Sequence, residues 1–341
     1  MSTKTILVLS SFIFLFFGAC NSQENPDELI VEYGKTTGIP EIDAISQDIQ
    51  NSPKDASLYA IRAEAYSLNG LYKEAVNDAQ TVLSMDSTKW QSYKLLAWMY
   101  LDNDESKRSI KTLEKGLEIF PENTKLLLTH AEISHILKQY DKGLISAENI
   151  LKKEPYNTDA MFTKGLILKD MKDTLGAIRI WDAVVSQDAD HFGAYLELGN
   201  IFYKMRKPVA TAYYKNALRI DSTSYLALKG MANYYHQTGN LEKAKEAYER
   251  TIYHHPQEAE TSYDYALLYM ELEEYEKAYN FFNVAVQYDP QFGEAYYYKA
   301  FAAEKLGNMD DAIINYKNAE SNGSKNNRLR ATDALDRLQK K

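Results

Sequence analysis

Cysteine is almost absent from this chain: Cys20 is the single one among 341 residues. A cysteine nucleophile in the body of the protein is therefore excluded. The GxSxG turn of serine hydrolases and a glycine-rich phosphate loop are missing as well. None of the six histidines forms the i, i+4 pair with an intervening glutamate that a helical zinc site needs. We expect no enzymatic activity and no metal or other cofactor.

Basic side chains are outnumbered by acidic ones, 39 Lys and Arg against 48 Asp and Glu, which gives a net charge of −9. An acidic body has no electrostatic footprint for nucleic acid or for anionic lipid surfaces. The same charge keeps a protein soluble and weakly favours basic partners. Nucleic acid is therefore excluded as a partner.

A repeat dominates the rest of the sequence, recurring about every 34 residues, eight times between Ala56 and Asn326. Each copy has two amphipathic segments separated by a short polar break, which indicates helix–turn–helix. Two places in the copy always hold Gly, Ala or Ser. The first place holds Ala63, Ala97, Ala131, Gly165, Gly199, Ala232, Ala266 and Ala300. The second place holds Ala75, Ser109, Gly143, Ala177, Ala210, Ala244, Ala278 and Ala312. Such a period predicts an all-α solenoid of stacked hairpins.

Small residues let paired helices approach closely, and large neighbours pack into the groove between them. The large residues on the second helices are Leu113, Trp181, Tyr214, Tyr248, Phe282 and Tyr316. Those on the first helices are Tyr66, Tyr100, Leu168, Phe202, Tyr235 and Tyr269. We expect these side chains to form the core.

Proline placement agrees with the repeat, since no proline is needed inside a helix. The prolines that close units are Pro121, Pro155, Pro256 and Pro290. Pro208 is expected to open a second helix, where proline is tolerated. Pro26 and Pro40 fall in the segment before the repeats. One residue is missing in the turn near Pro208, where a deletion costs least.

The pattern resembles the tetratricopeptide repeat family in the Tyr or Leu that opens each unit, the small crossings, the second-helix aromatics and the terminal prolines. The resemblance covers about four fifths of the chain. It implies a right-handed superhelix with a concave groove lined by the first helices. The chain departs from the family at Ala79, Ser134 and Ser262, where a large residue is usual, so we expect looser packing there.

Residues 1–20 have one lysine near the start, an apolar run over residues 6–17 and small residues before Cys20. The run is too short for a membrane-spanning helix and predicts an export signal. Residues 17–20 (FGAC) look like a bacterial lipobox, which implies a lipidated Cys20 as the mature N-terminus. Asn21 in the sorting pattern argues against retention in the inner membrane. We expect a lipid anchor in the outer membrane; an incidental cysteine in an ordinary signal peptide is the alternative.

The remaining segments follow from composition. Residues 21–40 are polar and acidic and predict a flexible tether, and residues 41–55 predict an N-terminal half-repeat helix. The eight repeats occupy 56–326. Residues 327–341 predict a capping helix. Its apolar stripe is expected to hold Leu329, Ala334 or Leu335, and Leu338.

The groove is the one place where side chains are free of packing duty, and we expect it to bind a partner. In the C-terminal half, the residues predicted to face it are Asn200, Tyr203, Lys229, Asn233, His236, Tyr263, Asp264, Tyr297, Tyr298 and Phe301. This strip of aromatic, amide and charged side chains suits an extended or helical peptide.

A special case within the family is the clamp for a peptide's C-terminal carboxylate. Lys229 and Asn233 match its Lys-xxx-Asn pair. Asp264 stands where the clamp needs Asn, and Glu294 and Tyr298 stand where it needs Lys and Arg. The clamp is therefore incomplete, and carboxylate binding is not carried over.

Several functions remain open at this stage. The favoured hypothesis is a lipid-anchored protein–protein interaction scaffold in cell-envelope assembly or secretion, facing the periplasm or the exterior. The alternative is an envelope glycan-binding module that uses Tyr263, Tyr297 and Phe301 as stacking platforms. A self-assembling or purely structural role is a further alternative.

Overall fold

The structure is a computed structural model, and it describes residues 36–339. The chain divides into two compact units, Met1–Asp86 and Ser87–Lys341. The described part of the first unit contains α1 (Pro40–Asn51), α2 (Ala56–Leu68) and α3 (Tyr72–Met85). Between residues 36 and 339 all regular structure is helical, and no helix there is both long and apolar enough to span a bilayer.

The second unit contains the other seven hairpins and the last helix. Its helices are α4 (Trp90–Asp102), α5 (Ser106–Ile119), α6 (Thr124–Ile136), α7 (Tyr140–Lys153), α8 (Thr158–Asp170), α9 (Thr174–Gln187), α10 (Phe192–Lys204), α11 (Ala210–Ile220), α12 (Tyr225–Gln237), α13 (Leu241–His254), α14 (Ala259–Glu271), α15 (Tyr275–Tyr288), α16 (Gly293–Lys305), α17 (Met309–Asn322) and α18 (Lys325–Gln339). Within this unit each hairpin packs against the next. The all-α solenoid of repeated hairpins is therefore confirmed. The handedness implied by the resemblance stays a prediction.

The small residues at the two crossing places are buried in every hairpin. The six large residues of the second helices are at most 1% exposed, which confirms them as core. Of the first-helix residues, Tyr100 and Tyr269 are buried, whereas the other four are half-buried. Ala79, Ser134 and Ser262 are buried too, and the hydroxyls of both serines have no hydrogen-bond partner. A hydroxyl buried without a partner costs stability.

Each hairpin turn contains one residue with a positive φ. In three turns it is a glycine, Gly70, Gly239 or Gly307, which adopts this conformation without strain. The other five turns use Asp104, Lys138, Lys172, Arg206 and Glu273, with φ between 54° and 71°. The next N–H returns to the end of the first helix, as Leu71 N does to Tyr66 O at 2.9 Å. Glycine therefore marks the turns in only some of the repeats.

Polar side chains recur at one place on the first helices, the residue before the first small residue. Each has a partner 16 residues away on a second helix. The pairs are Arg62–Asp78, His130–Ser146, Lys164–Glu148, Tyr265–Glu249 and Lys299–Asn283. The first two lie within a hairpin, and the other three join a hairpin to the one before it. In the two pairs whose members are all buried, Arg62–Asp78 and His130–Ser146, these bonds satisfy polar groups that the close helix packing would otherwise leave without a partner.

The positions of two prolines differ from the sequence predictions. Pro40 is the first residue of α1 and not part of the tether. Its missing N–H has no intrahelical partner at that position, so it is tolerated there. Pro208 does not open α11, because that helix begins at Ala210 and has 11 residues where α13 has 14. The residues before this shortened helix form a tighter turn, in which Ala210 N donates to Lys207 O at 3.1 Å and Thr211 N donates to Pro208 O at 3.3 Å.

The terminal helix α18 differs from the sequence prediction at one residue of its apolar stripe. In α18, Ala334 and Leu335 are buried and Leu338 is partly buried, as the stripe predicts, and Ala331, which the stripe did not include, is buried with them. Leu329 is wrong: its side chain is 59% exposed. It lies two positions from Ala331, about 200° around the helix and so on the opposite side.

Candidate functional site

A cavity of about 450 Å³ opens between the first helices α10, α12 and α14, with α13 behind it. Four of the predicted groove residues line it: Tyr203, Asn233, His236 and Asp264. The other lining residues are Gln237, Gly239, Tyr248, Leu267 and Glu271. The three helices are adjacent because successive first helices pack on each other, α10 on α12 and α12 on α14.

A chain of hydrogen bonds fixes the polar wall of the cavity. The Tyr248 hydroxyl donates to Asn233 Oδ1 at 2.7 Å, and the Asn233 amide donates to Asp264 Oδ2 at 3.3 Å. The imidazole Nδ1 of His236 is 3.2 Å from the same hydroxyl. Burial raises the pKa of Tyr248 well above its usual range, so the hydroxyl keeps its proton. The side chain of Asn233 is thus fixed by its hydrogen bonds to Tyr248 and Asp264, and it cannot turn to a new partner without losing them.

The ammonium group of Lys229 is already neutralised. It bonds to Glu260, and its Nζ lies 3.9 Å from Asp264 Oδ2. The side chain is only 16% exposed. Burial works against the charged form, but the hydrogen bond that Lys229 donates to Glu260 and the charge of Asp264 outweigh it and raise the pKa of Lys229. This lysine is therefore not available to a carboxylate ligand, in agreement with the incomplete clamp.

Two acidic groups face the cavity itself. Asp264 is three-quarters buried, with 24% of its side chain exposed, and burial raises its pKa despite the nearby Lys229. Glu271 is exposed, and its Oε1 lies 3.3 Å from Nε2 of His236. That Nε2 atom is buried and has no hydrogen-bond partner of acceptable geometry. Acceptors are thus concentrated on this wall.

The predicted aromatics form a separate cluster. The ring centre of Tyr263 lies 4.8 Å from that of Phe292 and 5.7 Å from that of Phe282. The Arg330 guanidinium of α18 lies 4.2 Å from the Tyr297 ring centre and 5.5 Å from that of Tyr298.

The remaining predicted residues are also engaged outside the cavity. Lys305 Nζ is 5.4 Å from the Phe301 ring centre, and Asn200 accepts a hydrogen bond from Tyr214 at 2.9 Å. Neither Phe301 nor Asn200 lines the cavity. Cys20 lies outside the described residues.

Sequence reasoning missed several lining residues. The sequence pattern predicts Tyr248 to lie in the core. Its ring is indeed buried there, but its hydroxyl also donates a hydrogen bond to Asn233 in the cavity wall. Glu271 follows Asp264 by seven residues, two helical turns further along the same face. That spacing was the signal that could have identified it. Within residues 36–339, no group of three or more His, Cys, Asp or Glu is arranged to hold a metal ion.

Comparisons with known proteins agree with this architecture. A family model described as tetratricopeptide repeat matches residues 229–291, the segment that contains most of the cavity. A DnaJ homolog subfamily C member 7 homolog from Dictyostelium discoideum is 24% identical to this chain. The alignment covers 80% of this chain and 57% of the length of that relative. The Hsp70-Hsp90 organizing protein of Triticum aestivum is 27% identical over 32% of this chain and 19% of its own. The chain thus spans little more than half of the first of these relatives and a fifth of the second.

A solved structure shows the same fold. A tetratricopeptide repeat protein from Parabacteroides merdae aligns with a TM-score of 0.53 at 15% identity, covering 73% of this chain and 98% of that one. At this level of identity the likeness concerns the fold alone. The repeat family and the helical architecture are consistent in the sequence, the structure and the comparisons.

Proposed function

Because the chain is a tetratricopeptide repeat protein, we propose that it is an interaction scaffold that holds a peptide segment of a partner protein in the cavity between α10, α12 and α14. The observation that carries the proposal is the cavity itself: an open site on adjacent first helices, with an ordered polar wall and an apolar contribution from Tyr203 and Leu267. A site that combines polar and apolar side chains on adjacent helices suits a peptide segment of a partner protein. The similarity to a protein named for organizing Hsp70 and Hsp90 supports a protein as the ligand.

The finer proposal is that the scaffold works at the bacterial cell envelope, held by a lipid on Cys20. It is supported by the leader sequence, with its short apolar run and the residues FGAC. Two or three acyl chains anchor a protein firmly, whereas a single chain gives marginal binding. The glycan alternative has less support, because the Tyr263 and Tyr297 rings already contact neighbouring side chains.

Site-specific photo-crosslinking tests the scaffold. A photoreactive phenylalanine in place of Gln237, an exposed cavity residue, is expected to form one dominant covalent adduct with a partner protein in the native host. The same substitution at Tyr253, which is 81% exposed on α13 and does not line the cavity, serves as the control and is expected to give none. Equal adducts at both positions, or none at either, would contradict peptide binding in the cavity.

Labelling with a fatty-acid analogue tests the anchor. Wild-type protein is expected to incorporate the label and to sediment with membranes, because an acylated N-terminus partitions into the bilayer. Cys20→Ser is expected to abolish both the label and the sedimentation. An unlabelled wild-type protein in the soluble fraction would refute the lipid anchor and leave the peptide-binding proposal intact.

A further inference from the structure

The wall of the cavity has more hydrogen-bond acceptors than donors. The Tyr248 hydroxyl uses its one proton on Asn233, so the contact between that hydroxyl and His236 Nδ1 requires a proton on Nδ1. The other ring nitrogen, Nε2, is buried and lies 3.3 Å from the carboxylate oxygen of Glu271, without a hydrogen bond of acceptable geometry. The residues that line the cavity include the carboxylates of Asp264 and Glu271 and no lysine or arginine, which favours a ligand group that brings several N–H donors.

The charges point to the same kind of ligand. Glu260, Asp264 and Glu271 place three carboxylates around this site, and Lys229 supplies one ammonium that is bound to the first two. Asp264 and Glu271 line the cavity, whereas Lys229 does not. A carboxylate ligand would meet two carboxylates and no lysine or arginine among the residues that line the cavity, whereas a cation would gain two charged partners. Glu271 is 62% exposed, so its side chain has room to turn toward such a group.

The apolar parts of the cavity suit the stem of a long basic side chain. Tyr203 and Leu267 are half-buried and lie beside the acidic wall. Lysine and arginine bury their methylene stems against apolar surface while the charged head meets polar groups. A short cationic group would leave this surface uncovered.

The chain itself provides a parallel two helices further on. Tyr298 follows Asp264 by one repeat and occupies the equivalent place on α16. The guanidinium of Arg330, from α18, lies over Tyr298 and its neighbour Tyr297. An arginine side chain is therefore accommodated at this place of the repeat, where the aromatic faces interact with its charge.

We propose that the cavity recognises a lysine or arginine side chain of the bound peptide, with the cationic head between the carboxylates of Asp264 and Glu271. This inference rests on the proposed peptide-binding function. It assigns the ligand's charge, which that function leaves open, and it reverses the preference of a carboxylate clamp.

The experiment uses a random library of ten-residue peptides, acetylated at the N-terminus and amidated at the C-terminus, so that only side chains carry charge. The protein comprising residues 21–341 is incubated with the library, and the retained peptides are sequenced by mass spectrometry. We expect lysine and arginine to be enriched at one position. Replacing that residue with glutamine in the best peptide should weaken binding about tenfold or more.

Variants separate the cavity from general charge. Asp264→Asn/Glu271→Gln is expected to remove the enrichment of basic residues while peptides are still retained. Glu242→Gln/Glu246→Gln makes the same change of net charge at exposed positions of α13 outside the cavity, and it should behave as wild type. Circular dichroism checks that both variants keep the helical fold.

Each other outcome has a defined meaning. Retained peptides without basic enrichment, or enrichment that the cavity variant does not change, would overturn the cation site and keep the peptide-binding function. Retention only from a parallel library with free C-terminal carboxylates would also overturn it, in favour of an anion site. If neither library gives retained peptides, the proposed function fails together with this inference.

Discussion

Gly165→Ala is expected to destabilise the α8–α9 hairpin by about 2 kcal/mol or more, although alanine is the better helix former. A Cβ at this position would lie 2.2 Å from Nε1 of Trp181 and 2.6 Å from its Cε2. Replacing glycine with alanine inside a helix normally gains about 1 kcal/mol. The steric clash decides the sign here, because Trp181 has no room to move.

The confinement of Trp181 is the reason. Its side chain is fully buried, and its indole N–H donates to the Phe162 carbonyl at 3.2 Å. Any shift of the ring away from position 165 would break this bond and disturb the surrounding core, since interiors at crystal-like packing density transmit strain. Urea denaturation followed by circular dichroism, with hydrogen exchange of α8 and α9, measures the loss.

A compensating variant provides the control. An earlier hairpin uses Ala97 and Leu113 at the two positions that hold Gly165 and Trp181 here, and both of those residues are buried. Gly165→Ala/Trp181→Leu should therefore cost less than the sum of the two single variants, because the smaller leucine leaves space for the new methyl group. Strict additivity in this double-mutant cycle would contradict a direct steric coupling.

Asp78→Ala is expected to destabilise the first unit by about 3–5 kcal/mol, because it leaves a buried guanidinium without its counter-ion. Arg62 Nε and Nη2 donate to the two Asp78 oxygens at 2.7 and 2.9 Å, and the side chains are 4% and 2% exposed. Arg62 also donates to Ser46 Oγ at 3.0 Å. The pair therefore joins α1, α2 and α3. Hydrogen exchange in residues 40–85 should rise throughout that unit.

An exposed ion pair is the matched control. Lys142 and Glu114 lie 2.7 Å apart, with side chains 48% and 44% exposed. Glu114→Ala should change stability by about 1 kcal/mol or less, because water and salt screen such a pair. Replacing both buried residues, as in Arg62→Met/Asp78→Leu, should recover much of the loss. Similar losses for Asp78→Ala and Glu114→Ala would show that burial is not the source of the effect.

Much of the architecture was readable from local pattern. The recurring small residues predicted the helix crossings, and the second-helix aromatics predicted the core. Both predictions hold because a residue that must fit between two packed helices is constrained in size wherever the hairpin recurs. The exceptions lie where local pattern is ambiguous. Arg62 and Asp78 interrupt an otherwise apolar face, and only their mutual contact explains why two charges are buried there.

The charges and contacts around the cavity could not be predicted from local pattern, because they involve residues far apart in the chain. The neighbours that neutralise Lys229 belong to the next hairpin, and Arg330, which covers Tyr297, comes from the terminal helix. The periodicity places each of these residues on a face of its own helix, but it does not say which side chain on the neighbouring helix meets it. The spacing and the size of residues within one repeat are thus enough to determine each helical hairpin. The charge of the site arises from contacts between helices some thirty residues apart, which form only when the hairpins are stacked.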